Sequence, residues 1–235
     1  MDAAELRAMQ APIKERYKSD PSAAVITLKA KGSIDNEGIA CKVETGRALA
    51  VAGLHPATGG SGLELCSGDM LLEALVACAG VTLKSVATAV DVPLKAKGSI
   101  ENEGIACKVE TVRALSVAGL HPATGGSGLE LCSGDMLLEA LVACAGVTLK
   151  SVATAVEIPL KSGIVIAEGD LDFRGTLGVD KEAPVGFEEI RLRFEVGTDA
   201  PQDKLDLLLK LTERYCVVYQ TIKNGPKVSV EMRRV

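Results

Sequence analysis

Tryptophan is absent from this chain of 235 residues, and aromatic residues together make up only 3% of it. Without large rings the interior has to be filled by Ala, Val, Leu and Ile, and the 47% hydrophobic content is enough for a real core. Clusters of Lys and Arg are missing too, and the net charge is −5. That balance excludes the electrostatic footprint of a nucleic-acid binder. The chain has two His and no Cys-x-x-Cys pair, so nothing argues for a structural metal, and no motif calls for a bound cofactor. The glycine-rich stretch from Gly53 to Gly62 lacks the Gly-Lys-Ser/Thr ending of a phosphate cradle, which argues against nucleotide binding.

A secretory signal is not visible in Met1–Tyr17, where Asp2, Glu5, Arg7, Lys14, Glu15 and Arg16 interrupt any apolar run. A cytoplasmic setting is the expectation, and there the seven Cys would stay reduced rather than form a disulfide framework. The most apolar stretch, from Met70 to Leu83 with its copy from Met136 to Leu149, contains Glu73 or Glu139. It falls short of the roughly 18 uninterrupted apolar residues of a membrane span and reads as a buried helix.

What is present is a repeat. Residues 28–93 recur as residues 94–159 with five differences over 66 positions: Asp35/Glu101, Gly46/Val112, Ala50/Ser116, Asp91/Glu157 and Val92/Ile158. Solenoids need about three or more stacked copies, and here the flanks are unlike each other. Taking 66 residues from 235 leaves 169, the size of one compact domain. The organisation expected is therefore an N-terminal half with the first copy (1–93), a second copy (94–159) and a C-terminal half (160–235): one domain plus a surplus half. Two arrangements are open. In one, the second copy joins residues 160–235 and the first pairs with another chain; loop entropy favours this one, because Cys144 is nearer Cys216 in sequence. In the other, residues 1–93 keep their place, because only the first copy follows the unrepeated stretch Ala23–Thr27.

Pattern and punctuation predict a helix over residues 2–19 with a break or kink at Pro12, followed by a strand from Ala23 and a three-strand antiparallel meander to Gly53. A long helix capped by Ser67 runs to about Ala89 and carries Asp69 in its first turn. Later come strands over 163–174 and 188–196, a helix from Gln202 to about Ile222 broken near 213–216, and a terminal strand over 227–235. The fold class is α+β.

Two cysteine segments carry a resemblance. Leu65-Cys-Ser-Gly-Asp-Met-Leu-Leu-Glu-Ala-Leu-Val-Ala-Cys78-Ala-Gly-Val-Thr-Leu83 resembles the central helix of the osmotically inducible protein C (OsmC/Ohr) family, and Glu213-Arg-Tyr-Cys216-Val-Val-Tyr-Gln-Thr-Ile222 resembles its second cysteine segment. The His55 and Gly59-Gly60 loop and the stretch from Val185 to Leu192 match as well. The resemblance implies an intertwined homodimer, or a larger homo-oligomer. It also implies a peroxidase that reduces organic hydroperoxides and is regenerated by a dithiol such as a lipoyl group. Carried over by position, Cys78 or Cys144 attacks the peroxide and becomes a sulfenic acid, which Cys216 resolves as a disulfide.

A free thiol near pKa 8.5 is mostly protonated at neutral pH, so the attacking sulfur needs a stabilising charge. The family resemblance implies an Arg held by a Glu, but Gly68 or Gly134 stands where that Glu would be. Asp69 and Asp135 follow by one residue, a rotation of about 100° on a helix. Arg47 and Arg113 are the candidates for the activating guanidinium, with Arg16 and Arg214 as alternatives. Cys41 and Cys107 read as structural, Cys66 and Cys132 as flanking thiols, and His55 and His121 as turn or dimer-contact residues. The missing Glu also leaves open a catalytically silent, redox-sensitive or hydrophobic-ligand-binding scaffold.

Overall fold

A computed structural model of the chain describes residues 2–34, 40–44, 49–90, 106–110 and 115–233. In chain order its elements are α1 (Ala3–Ser19), β1 (Val25–Ile34), β2 (Ala40–Glu44), β3 (Leu49–Gly53), α2 (Ser67–Ala89), β4 (Ala106–Glu110), β5 (Leu115–Gly119), α3 (Ser133–Ala155), β6 (Ser162–Asp172), α4 (Phe173–Thr176), β7 (Phe187–Gly197), α5 (Gln202–Tyr215) and α6 (Val217–Asn224). Five strands form one antiparallel sheet in the order β3-β2-β1-β6-β7, and β4-β5 is a separate ribbon. Helices pack on an antiparallel sheet, so the architecture is α+β.

The two copies exchange parts. The sheet takes its strands β1–β3 from the first copy, yet the helix buried against them is α3, from the second. Helix α2 of the first copy packs in turn on β4-β5 of the second, and α2 and α3 lie against each other. Neither arrangement expected from the sequence places a whole copy correctly, because each of the two physical arguments governs a different element. The unrepeated residues select the strand: Val25, Ile26 and Thr27 pair with Asp172, Leu171 and Asp170 of β6, and Thr27 Oγ1 donates to Asp170 Oδ1 at 2.5 Å. The short connection from Ala155 to Ser162 selects the helix, since only α3 is tethered close to β6.

Identical sequences thus meet unlike surroundings. Met70, Ala74, Ala77 and Val81 of α2 are buried, and so are their counterparts Met136, Ala140, Ala143 and Val147 of α3. The opposite faces differ: Leu75 is 56% exposed where Leu141 is 2% exposed, and Val76 is 53% exposed where Val142 is fully buried. The sheet and helices α5 and α6 cover that face of α3. Strand β2 approaches α3 closely enough that the Cys41 thiol reaches the Val142 carbonyl at 3.9 Å, and a Cβ on Gly146 would overlap Cys41 Sγ.

Helix α1 fastens the surplus half to the domain. Arg7 donates to the Ala89 carbonyl at the end of α2, while Tyr17 Oη donates to Ala123 O at 2.7 Å in the second copy's loop. A capping box between Asp2 and Glu5 starts this helix, and it continues unbroken through the exposed Pro12, contrary to the expected break. The terminal strand expected over 227–235 is not formed over residues 225–233, where Val228, Val230 and Met232 are all exposed. Alternation marks which side chains could share a face, but a strand also needs a neighbouring edge.

Truncating the same residue in the two helices should separate propensity from packing. Leu141→Ala should cost about 2–5 kcal/mol in urea unfolding. Leu75→Ala, in an identical helix, should cost less than about 0.5 kcal/mol. Equal losses would show that the two helices are buried alike.

Candidate active site

Two cysteines meet beneath the junction of α5 and α6. Cys144 lies in the middle of α3 and is 5% exposed; Cys216 is 1% exposed and forms the break between the two C-terminal helices, where its φ/ψ of −71°/107° interrupts the helical path. That break turns the first backbone N–H groups of α6 toward the sulfurs. Val218 N donates to Cys144 Sγ at 3.4 Å. The Cys216 thiol, the Val217 backbone and Ser67 are the other groups that act on the Cys144 charge.

These donors decide where the charge sits. The hydrogen bond from Cys216 is the largest influence lowering the Cys144 pKa, and it outweighs burial, with Ser67, Val218 and Val217 adding to it. The same hydrogen bond, and then burial, push Cys216 strongly upward. The two shifts run in opposite directions, so Cys144 is the sulfur that carries the negative charge more readily, and the Val218 N–H donates to it. The first backbone N–H groups of α6 stand where the sequence called on a guanidinium. Among the described residues no Arg takes part in holding Cys144.

The other expected site residues fall elsewhere. Arg47 and Arg113 lie outside the described residues. Arg16 is exposed on α1, and Arg214 lines an outer groove with Tyr215 and Val217. Asp135 interacts with His121 rather than with Cys144, and burial raises its carboxyl above the usual range. Asp69 stands beside Glu73, whose carboxyl is raised first by burial and then by that neighbour. Neither Asp substitutes for the missing Glu. Gly134 itself faces the core, where a Cβ would come within 2.7 Å of Leu28 Cδ1.

Cys78, the first copy's counterpart of Cys144, is exposed on α2. The Cys216 segment occurs once in this sequence and lies at Cys144 rather than at Cys78. Burial pushes Cys41 up to about 12, which fits its structural place against α3. Cys107 lies in β4. Cys66 and Cys132 are the N-caps of α2 and α3, and Cys132 is raised by burial. His55 and His121 serve their turns, each accepting at Nδ1 from the backbone two residues on, and His121 also stacks on Phe173 at 5.1 Å.

Ser67 was expected to cap its helix, but it is the first helical residue and Cys66 is the cap. The pairing of Leu65 with Val51 and Gly53 holds the chain extended through Cys66, so the helix starts one residue late.

The family model described as OsmC-like protein matches residues 125–231, a span that holds Cys144 and Cys216 and leaves out Cys78. Over that span the chain is similar to the OsmC-like family. It is similar to the solved OsmC-like protein from Mycoplasma pneumoniae at 16% identity and a TM-score of 0.46, over 56% of this chain and 91% of that one. An OsmC-like hydroperoxide resistance protein from Jannaschia sp. CCS1 is similar at 8% identity and a TM-score of 0.45, over 90% of this chain and 95% of that one. No curated protein matches the sequence.

The electrostatics of this two-cysteine site can be read by alkylation at varied pH. A lowered pKa keeps the thiolate present at lower pH, so the midpoint for Cys144 should fall clearly below the ~8.5 of an ordinary thiol. Cys41, raised to about 12, should stay unlabelled at pH 9 in the folded protein. Tryptic peptides 48–84 and 114–150 differ at Ala50/Ser116, so mass spectrometry tells the copies apart. An ordinary midpoint at Cys144 would contradict the charge placement.

Proposed function

We propose that the chain is a thiol peroxidase acting on organic hydroperoxides, with Cys144 as the attacking sulfur and Cys216 as the resolving one. The observation that carries this reading is the meeting of two buried cysteines at the α5–α6 break, where the Val218 N–H donates to Cys144 Sγ and the Cys144 pKa is lowered, first by Cys216. The Cys144 thiolate attacks the outer oxygen of ROOH, the O–O bond breaks, and the alkoxide takes a proton and leaves as ROH. Cys144 is then a sulfenic acid, two electrons oxidised. The Cys216 sulfur attacks it, a disulfide forms, and the hydroxyl leaves as water. An external dithiol, of the lipoyl type that the family resemblance implies, restores both thiols and becomes a disulfide itself.

A groove of about 540 Å³, lined by apolar side chains together with Glu188, Glu189, Glu213 and Lys223, supports an organic over an inorganic peroxide. It runs between β7 and helices α5 and α6, with Phe187, Leu192, Phe194 and Ile222 on its walls and Leu141, one turn before Cys144, at its floor. The proposal places the protein in the cytoplasm, where a reduced dithiol site is maintained. It includes a homo-oligomer, for which the exposed face of α2 with Leu72, Leu75, Val76 and Val86 is the available apolar surface. It treats residues 1–93 and 94–159 as halves that reach one working domain with 160–235 only by trading helices.

The second reading, a redox-sensitive or ligand-binding scaffold without turnover, draws on the closure of the site, with both sulfurs almost fully buried. One equivalent of an organic hydroperoxide added to the reduced protein separates the two. The peroxidase should yield a Cys144–Cys216 disulfide, Cys144→Ser should lose at least about 100-fold in hydroperoxide consumption, and Cys78→Ser should retain wild-type turnover. A hydroperoxide-treated protein with neither disulfide nor sulfenic acid would leave the scaffold.

A further inference from the structure

We propose that the outer face of α2 is a docking surface for a second copy of this chain, met by the same face of the partner's helix in antiparallel register about Ala79. This rests on the homo-oligomer of the reading above and adds to it the interface. The face is apolar and open: Leu72, Leu75, Val76, Leu83 and Val86 are exposed, whereas the same face of α3 is covered by the sheet, α5 and α6. That cover is not spare in any copy, because residues 160–235 occur once in this sequence and already enclose α3. The apolar surface that each copy can offer another is therefore the same one, the outer side of its own α2.

This face also complements itself. At about 100° per residue, Leu72, Leu75, Leu83 and Val86 all fall within about 40° of Ala79, and the buried Met70, Ala77 and Val81 fall on the opposite side. Its order reads nearly the same in both directions, with Leu72 and Val86 equally far from Ala79, and Leu75 and Leu83 likewise. A two-fold axis at Ala79 sets Leu72 beside the partner's Val86 and Leu75 beside the partner's Leu83. Ala79 and Gly80 at the crossing are small, which lets the helix axes approach to about 8 Å. A lipid surface is the poorer match. Asp69 and Glu73 stand beside the face against one Lys84, and the net charge is −5, whereas helices that lie on membranes are edged by Lys and Arg.

Sedimentation velocity over about 1–200 μM reads the association; one helix face is a small interface, so the dimer should dissociate on dilution within that range. Leu75→Glu, at an exposed position, should keep the helix content and give a monomer at every concentration. In a Cys78→Ser background, Ala79→Cys should form an interchain disulfide under mild oxidation, because the two-fold brings the two positions together, and Cys78→Ser alone should not. Leu72→Cys in the same background should not link to itself, since its two positions stand about 20 Å apart. A wild-type protein that stays monomeric would overturn this interface and the homo-oligomer together and leave the thiol chemistry untouched. A dimer that survives Leu75→Glu, or that links through Leu72→Cys as readily as through Ala79→Cys, would overturn the α2 interface and leave the homo-oligomer standing. Cosedimentation of the wild type with phosphatidylcholine vesicles, lost in Leu75→Glu, would give the face to a lipid surface instead.

Discussion

The contact between α2 and α3 is the interaction on which the rest of this structure depends. Two helices of identical sequence each carry apolar residues on nearly every face, and one C-terminal half is available to cover them. Where they pack side by side, Met136 and Leu137 of α3 join the cluster that holds Ala74, Ala77 and Val81 of α2. With the sheet, α5 and α6 covering α3, the large apolar surface left in water is the outer side of α2, with Leu72, Leu75, Val76 and Val86.

The chemistry follows from a balance of magnitudes. Holding an anion at a site as closed as that of Cys144 carries a desolvation penalty of several kcal/mol. Hydrogen bonds to a charged group contribute about 1.5–3 kcal/mol each, so one donor would not offset it and several can. The Val218 N–H is one such donor, and Cys216 is the largest influence lowering the Cys144 pKa. Because the backbone of α6 belongs to an element ordered by packing, its donor is already in place. In the proposed reaction the thiol that favours the thiolate is the one that attacks its oxidised form.

Much of the local structure was legible. The meander from β1 to β3, the long helix to Ala89 and the interruption at Cys216 follow from alternation, helical periodicity and turn residues, all of which act over short spans. The cysteine pair was legible as a pair from its two segments. Errors came wherever a neighbour decides: Pro12 sits within a helix that packing sustains, the stretch over residues 227–233 alternates without an edge to join, and Ser67 was displaced from its cap by the pairing of Leu65 with β3. Asp69 and Asp135 looked equivalent as substitutes for the absent Glu, and one lies beside Glu73 while the other faces His121.

By itself the sequence determined the elements, the aliphatic character of the core, the duplication and the identity of the two thiol-bearing segments. These depend on residue type and spacing along the chain, and both copies carry the same information. It could not distinguish Cys78 from Cys144 or Ser67 from Ser133, because the residues around each pair are the same letter for letter. Only the tertiary structure broke that symmetry. The unrepeated Val25–Thr27 drew one copy's strands to β6, the short link before Ser162 drew the other copy's helix, and one C-terminal half could cover one helix. Burial, neighbouring donors and therefore thiol chemistry are properties of that placement.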